Sequence, residues 1–190
     1  LVASGQYHNC AITTANKLRC WGENGSYQLG DGTNTDVFAP IDIDNATDYK
    51  YVAVGTSHTC AITLADKLFC WGYNTYGRLG DTTTTNRSTP TAIDAAEDYK
   101  YVNLSADYTC AITTSDKLKC WGRNFYGYLG NGTTSENDPN PTPIAIDTTE
   151  DYLLVKMGME TSCGLTSGGQ LKCWGKNNFG VFGDGTTDDS

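Results

Sequence analysis

The residues in this sequence most capable of chemistry are its eight cysteines, at positions 10/20, 60/70, 110/120 and 163/173, with nine residues inside each pair. Thiolate catalysis, metal ligation and disulfide bonding compete for such a set. Structural zinc sites show close ligand pairs, about two to four residues apart. The C-x9-C spacing lacks them, and no metal is expected. An even count at fixed spacing favours disulfides and an oxidising compartment. His8 and His58 stand at matching positions, which Tyr108 and Thr161 take further along. A residue repeated in this way is expected to make structural hydrogen bonds, not to serve as a catalytic base. The acidic stretches DGTNTD (31–36) and GDGTTDD (183–189) miss the alternating carboxylates and downstream glutamate of a calcium loop, and are read as solvated loops. With no nucleophile–base pair and no phosphate loop, neither a cofactor nor enzymatic activity is expected.

The elements that must position these residues recur. The cysteine pairs advance in steps of 50, 50 and 53 residues. Trp21, Trp71, Trp121 and Trp174 keep those steps, as do Gly22, Gly72, Gly122 and Gly175 and also Asn24, Asn74, Asn124 and Asn177. Self-similarity at such a period marks stacked supersecondary units. The units are read as residues 1–50, 51–100, 101–150 and 151–190; the last lacks the P-x-x-I run found at 40–43, 90–93 and 143–146. The three extra residues of the third step are assigned to a Pro-rich loop, SENDPNPTP (135–143). In the second unit YVAVGTSH (51–58), TCAIT (59–63), KLFCWG (67–72) and PTAID (90–94) read as short extended runs, with LAD as the turn between the middle two. No segment sustains helical periodicity. The expected class is all-β, with four repeats forming propeller blades of about 50 residues, either an incomplete propeller or array or one completed by another molecule.

The hairpin register can be worked out on paper. With Cys60 opposite Cys70, Ile62 falls opposite Leu68 and Thr63 opposite Lys67. Side chains alternate along a strand, so cysteine, isoleucine and leucine share one face, and Ala61, Phe69 and Trp71 the other. Directly opposed antiparallel residues have Cα atoms about 4.5–5.5 Å apart, within the range of about 4.4–6.8 Å that a disulfide spans. Eight cysteines allow about 105 pairings. The repeat favours Cys10–Cys20, Cys60–Cys70, Cys110–Cys120 and Cys163–Cys173.

Composition narrows the partners. Against 13 Lys+Arg stand 22 Asp+Glu, a net charge of −9, so nucleic acid is not an expected partner. No apolar run nears the roughly 20 residues of a membrane span. A chain that opens on Leu1 is expected to be a processed product or a segment of something longer. N-x-[S/T] triplets at Asn24, Asn45, Asn86, Asn103 and Asn131 are candidate glycan acceptors, with Asn45 and Asn86 the better placed, in loops.

At HTCAITLADKLFCWGYNTYGRLGD (58–81) the chain resembles the regulator-of-chromosome-condensation repeat, and the resemblance recurs four times over essentially the whole chain. It implies propeller blades, usually seven to a ring, with the tryptophan and the glycine turn packed against the next blade. Tyr27 stands where Gly77, Gly127 and Gly180 do, and Phe182 where Leu29, Leu79 and Leu129 do. Paired cysteines suit secreted bacterial members more than nuclear ones. The resemblance implies first a non-catalytic extracellular or cell-surface module within a larger array or fibre, its partners being copies of itself or neighbouring repeats. The second reading is a closed-propeller inhibitor or adhesin-like binder, using Tyr7, Tyr27, Tyr73, Tyr76, Tyr126 and Tyr128. The third is guanine-nucleotide exchange on a small GTPase, against which the paired cysteines and the missing basic tail speak.

Overall fold

The computed structural model describes residues 1–189, with the backbone alone at 136 and 137. All its regular structure is β, in four separate antiparallel sheets, and no sheet closes on itself. Blade 1 holds β1 (Val2–Ser4), β2 (His8–Ile12), β3 (Leu18–Gly22) and β4 (Val37–Ile43). Blade 2 holds β5 (Tyr49–Val54), β6 (His58–Thr63), β7 (Leu68–Gly72) and β8 (Arg87–Ile93). Blade 3 holds β9 (Tyr99–Leu104), β10 (Tyr108–Thr113), β11 (Leu118–Asn124) and β12 (Ser135–Ile146). Blade 4 holds β13 (Tyr152–Met157), β14 (Thr161–Thr166) and β15 (Leu171–Gly175). Strands follow one another in spatial order within each sheet. Among the described residues β15 has no outer neighbour.

The central hairpin explains the spacing of the cysteines. In blade 2 the Asp66 amide donates to the Thr63 carbonyl at 3.1 Å, and the Lys67 amide to the Thr63 hydroxyl at 3.1 Å. Asp66 sits at φ +64°, a left-handed conformation that Asp and Asn tolerate better than other side chains. The turn therefore has one length, and β6 and β7 have one register, with Cys60 opposite Cys70 and Ile62 opposite Leu68. Disulfides join Cys10–Cys20, Cys60–Cys70, Cys110–Cys120 and Cys163–Cys173, each with Cα atoms 4.1 Å apart.

Alternation then decides what each face meets. Cys60, Ile62, Leu68, Cys70 and Leu79 pack with Tyr99, Val102, Ala111 and Trp121 of blade 3. Ala61 and Trp71 pack backwards, with Cys10, Ile12, Leu18, Cys20 and Leu29 of blade 1. Every seam is thus a cysteine face on a tryptophan face. This corrects the expected direction of the tryptophan. It alternates with the adjacent cysteine, so when the cysteine looks to the next blade the indole must look to the one before. The glycine turn faces forward, as expected.

Residues 135–143 are not a loop but most of β12. An outer strand accepts Pro139, Pro141 and Pro143 because its far side has no donors to supply to a neighbour. Register shifts between Cys120 and Gly122 and between Gly122 and Asn124 absorb the extra length, as β-bulges do. Tyr27 is held at φ +66° where Gly77 has +73°, a conformation costing a non-glycine residue about 1–2 kcal/mol. Each disulfide closes a loop of about ten residues, worth about 2–3 kcal/mol of unfolding free energy through the denatured chain. Replacing Cys60 and Cys70 together by alanine is expected to remove at least that amount in urea denaturation; a loss under about 0.5 kcal/mol would contradict the account.

Candidate functional site

Two surfaces are built by the repeat: the seams between blades and an aromatic face above them. Each seam begins at the asparagine of the W-G-x-N turn. The Asn24 Oδ1 accepts from the Leu29 amide at 3.0 Å, and its Nδ2 donates to Asp31 and to the Thr33 carbonyl, both at 3.0 Å. This fixes the turn so that Leu29 is buried and the Gln28 carbonyl points at blade 2. The Trp71 Nε1 donates to that carbonyl at 3.0 Å. Trp121 does the same to Arg78 at 2.9 Å, and Trp174 to Tyr128 at 3.0 Å. A buried indole needs such a partner for its N–H.

A hydroxyl shares the same carbonyl. The Thr59 hydroxyl donates to the Gln28 carbonyl at 2.8 Å and lies 2.8 Å from His8 Nε2. Having spent its one proton on the carbonyl, the hydroxyl must accept from histidine. His8 is therefore the Nε2–H tautomer, and its buried Nδ1 has no partner among the described residues. His58, Thr109 and the Arg78 carbonyl repeat the relay at 3.0 and 2.8 Å. A second proton on either ring has nowhere to go. Burial lowers the His8 pKa to about 4; burial, with the Arg78 charge nearby, holds His58 well below its ordinary value. In the third seam Tyr108 replaces histidine and bonds Ser162 at 3.0 Å; burial pushes its phenol up to about 12.

Among the described residues, blades 1 and 4 each have one face without a neighbouring blade. Trp71 and Trp121 are fully buried, but Trp21 is half-exposed. Leu68 is 1% exposed, whereas Leu171 at the matching position of blade 4 is 68% exposed. Cys163, Leu165, Cys173 and Phe182 beside it are half-buried.

The aromatic face crosses blades 2, 3 and 4. The Arg78 guanidinium lies over the Tyr73 ring at 4.8 Å and the Tyr76 ring at 5.7 Å. Arg123 lies over Tyr76 at 4.8 Å and Phe125 at 5.0 Å, and Lys176 over Tyr126 at 4.9 Å. Asp107 bridges Arg78 at 2.9 Å and Arg123 at 3.0 Å, and Glu160 pairs with Lys176 at 2.8 Å. Tyr128 stacks on Tyr108 with centroids 5.3 Å apart. Burial lowers the Arg78 pKa, and Asp107 opposes that shift. Cations held beneath the rings, each with an acid, leave half-buried aromatic edges fixed in place.

Of the six tyrosines singled out from the sequence, Tyr73, Tyr76, Tyr126 and Tyr128 belong to this ladder. Tyr7 is exposed, at the repeat position of Asp107 and Glu160 in blade 1, and Tyr27 lies beside Gly32, Thr85 and Asn86. Arg78, Arg123, Lys176, Asp107, Glu160 and Phe125 escaped notice. Their signal was positional, since all occupy variable positions of the repeat. Among the sequon residues, Asn45 is exposed. Asn24 is buried with its amide engaged. The side-chain oxygens of Asn86, Asn103 and Asn131 accept from the Asn74 amide, the Met157 amide and Asn124 Nδ2. Among the described residues no three histidine, cysteine or acidic groups converge as metal ligands would.

The profile of the Regulator of chromosome condensation (RCC1) repeat matches residues 1–28, 49–78, 100–127 and 155–181, and a second profile of that repeat matches 18–62 and 66–112. Human WBSCR16 is similar in structure with a TM-score of 0.87 at 21% identity, over 100% of this chain and 50% of its own. Yeast RCC1 (Prp20), solved with Kap60, gives 0.82 at 18% identity, over 100% of this chain and 46% of its own. The ectodomain of the Physcomitrella patens receptor kinase CR4 gives 0.59 at 17% identity, over 92% and 38%. The likeness is one of fold, and the chain spans about half the length of the first two. No curated protein sequence matches it.

Two predictions follow from the seams. The unfolded chain protonates histidine near pH 6.5, the folded chain only at lower pH. Stability is then complete above about pH 6.5 and falls as pH drops towards 4, by about 3 kcal/mol for His8, with His58 extending the loss further down. Urea denaturation across that window checks it, and His8→Tyr, which borrows the third seam's residue, is expected to flatten the profile. Trp121→Ala is expected to cost about 3–5 kcal/mol, and Trp21→Ala less, because Trp21 is half-exposed where Trp121 is fully buried.

Proposed function

The chain belongs to the regulator of chromosome condensation (RCC1) repeat family, and from that premise we propose that it is a non-catalytic protein-binding module of an extracellular or cell-surface assembly. One observation carries the reading. Every seam sets the cysteine face of one blade on the tryptophan face of the next, so each unit is built to pack against another of its own kind. Units that bury a face only against a like neighbour are those of repeat assemblies. Four disulfides, with no free cysteine, support an oxidising compartment. Two comparisons lend support: Kap60 was solved bound to yeast RCC1, and a receptor ectodomain shares the fold. For any glycan, Asn45 is the acceptor that its exposure favours.

The aromatic ladder favours a second reading, a binder that grips one soluble protein through Tyr73, Tyr76, Phe125 and Tyr126. Rigid aromatic side chains supply contact area at low entropic cost. Guanine-nucleotide exchange has no comparable support, because the cysteines are all paired. Light scattering of the disulfide-intact chain over a concentration series separates the first two readings. Assembly predicts a mass that rises with concentration; a compact monomer throughout removes that reading and leaves the binder.

A further inference from the structure

The four disulfides each lie inside one hairpin, so among the described residues no covalent side-chain bond joins one blade to another. One pair of side chains is placed to make such a bond. On the inner strands Tyr51 stands opposite Ile62 of β6, and Tyr101 opposite Ile112 of β10. The two tyrosines hold the same repeat position, 50 residues apart in sequence. Tyr51 packs on the cluster that joins blades 2 and 3, and Tyr101 on the one that joins blades 3 and 4. Reaching forward, Tyr51 meets Tyr101: their ring centroids lie 5.3 Å apart at an interplanar angle of 49°. That is the contact distance of an aromatic pair. Leu154, opposite Leu165, holds the position in blade 4, and Leu1, whose carbonyl accepts from the Ile12 amide, holds it in blade 1. Both tyrosines are half-buried. The Tyr101 hydroxyl makes no well-formed hydrogen bond among the described residues; burial raises its pKa, and the Tyr51 and Asn103 side chains close by oppose that shift. Lys156 lies over the Tyr101 ring at 5.4 Å and helps to hold it. A phenol kept neutral in this way gives up its proton together with its electron when it is oxidised.

We propose that Tyr51 and Tyr101 form an oxidative cross-linking site, at which a dityrosine bond ties blade 2 to blade 3. The reagent is a diffusible one-electron oxidant. Each phenol loses one electron to it and one proton to water. The two phenoxyl radicals then join ring carbon to ring carbon, each at a position ortho to its oxygen. The hydrogens displaced from those carbons move to the oxygens and restore both phenols. In sum two electrons and two protons leave, and nothing is added. The other close tyrosines are worse placed. Tyr108 and Tyr128 lie 5.3 Å apart but are stacked at 18°, and Tyr108 is fully buried with its hydroxyl bonded to Ser162. A biaryl bond sets its rings end to end, and a sealed stack has no room to turn that far. Tyr126 and Tyr128 lie 5.9 Å apart within one turn, so a bond there ties the turn to itself. The oxidising compartment that paired cysteines favour is also where such an oxidant reaches a protein. Each disulfide closes a loop of about ten residues; this bond closes one five times as long, and a longer loop restrains the unfolded chain more. The site goes beyond partner binding and needs no second chain.

The test photo-oxidises the whole 190-residue chain in dilute solution with tris(bipyridine)ruthenium and persulfate. The monomer fraction is expected to gain dityrosine fluorescence. Disulfide reduction leaves dityrosine intact. Trypsin is then expected to release residues 51–67 joined to residues 101–117, because Lys50 and Lys100 precede the two tyrosines. The joined peptide is expected to weigh two hydrogens less than the sum of its parts, and fragmentation to place the bond on Tyr101, not Tyr108. Tyr51→Phe and Tyr101→Phe keep each ring and remove its phenol. Each variant, its fold checked by near-ultraviolet circular dichroism, is expected to lose this species. The cross-linked monomer, separated from unreacted chain, is expected to unfold at a higher urea concentration. A bond on another tyrosine pair, a joined peptide that persists in either folded variant, dityrosine formed only between molecules, no dityrosine at all, or an unchanged urea midpoint overturns the proposal.

Discussion

The contact on which the rest of this structure depends is the hydrogen bond from a buried tryptophan to a main-chain carbonyl of the preceding blade. An indole brings a large apolar area to a seam, but its N–H cannot be buried unpaired without a penalty of about 1–3 kcal/mol. Once Trp71 must find the Gln28 carbonyl, much of the repeat follows. The carbonyl has to point across the seam, so the turn must be fixed, and Asn24 fixes it with bonds to Leu29, Asp31 and Thr33. The ring has to lie flat on backbone, so residue 30 must be glycine. The hydroxyl of Thr59 completes the carbonyl's second acceptor site and in turn sets the tautomer of His8.

The disulfides answer a different need. They lie inside single hairpins and tie no blade to another. What they add is local: a blade whose central strands cannot separate offers a finished face to its neighbour. The paired sulfurs also form part of that face, since Cys60 and Cys70 share a cluster with Trp121. Stability is thus divided as in other repeat proteins, between terms within a unit and terms between nearest neighbours. The acid-sensitive histidines fall wholly in the second kind.

That division also explains what the sequence could reveal. Within a hairpin, alternation and turn length leave one answer, and Cys60 opposite Cys70 was readable from the eleven residues 60–70. The direction of the tryptophan was not, because both neighbours of a middle blade have the same sequence. Nor was β12, where three prolines and polar residues read as loop; an outer edge relaxes the rule that would bar them. The aromatic ladder lay furthest from view. Its pairs, such as Arg78 with Asp107, are 29 residues apart in sequence and meet only because the seam sets consecutive turns side by side. None of the tyrosines alone signals that arrangement.

The ladder and the seam are nonetheless one design. The seam takes from positions 28, 78 and 128 only the main-chain oxygen, so their side chains are Gln, Arg and Tyr without harm to the fold. The same holds for the residue after W-G, which is Glu23, Tyr73, Arg123 or Lys176. An interface that demanded specific side chains at these positions would have frozen the outer face. One built on backbone carbonyls, glycine and a single indole leaves that face free to vary from blade to blade. Arg78 shows both uses in one residue: its carbonyl accepts from Trp121 and Thr109, while its guanidinium props the rings of Tyr73 and Tyr76. The repeat can therefore hold its architecture constant while the aromatic face changes its chemistry.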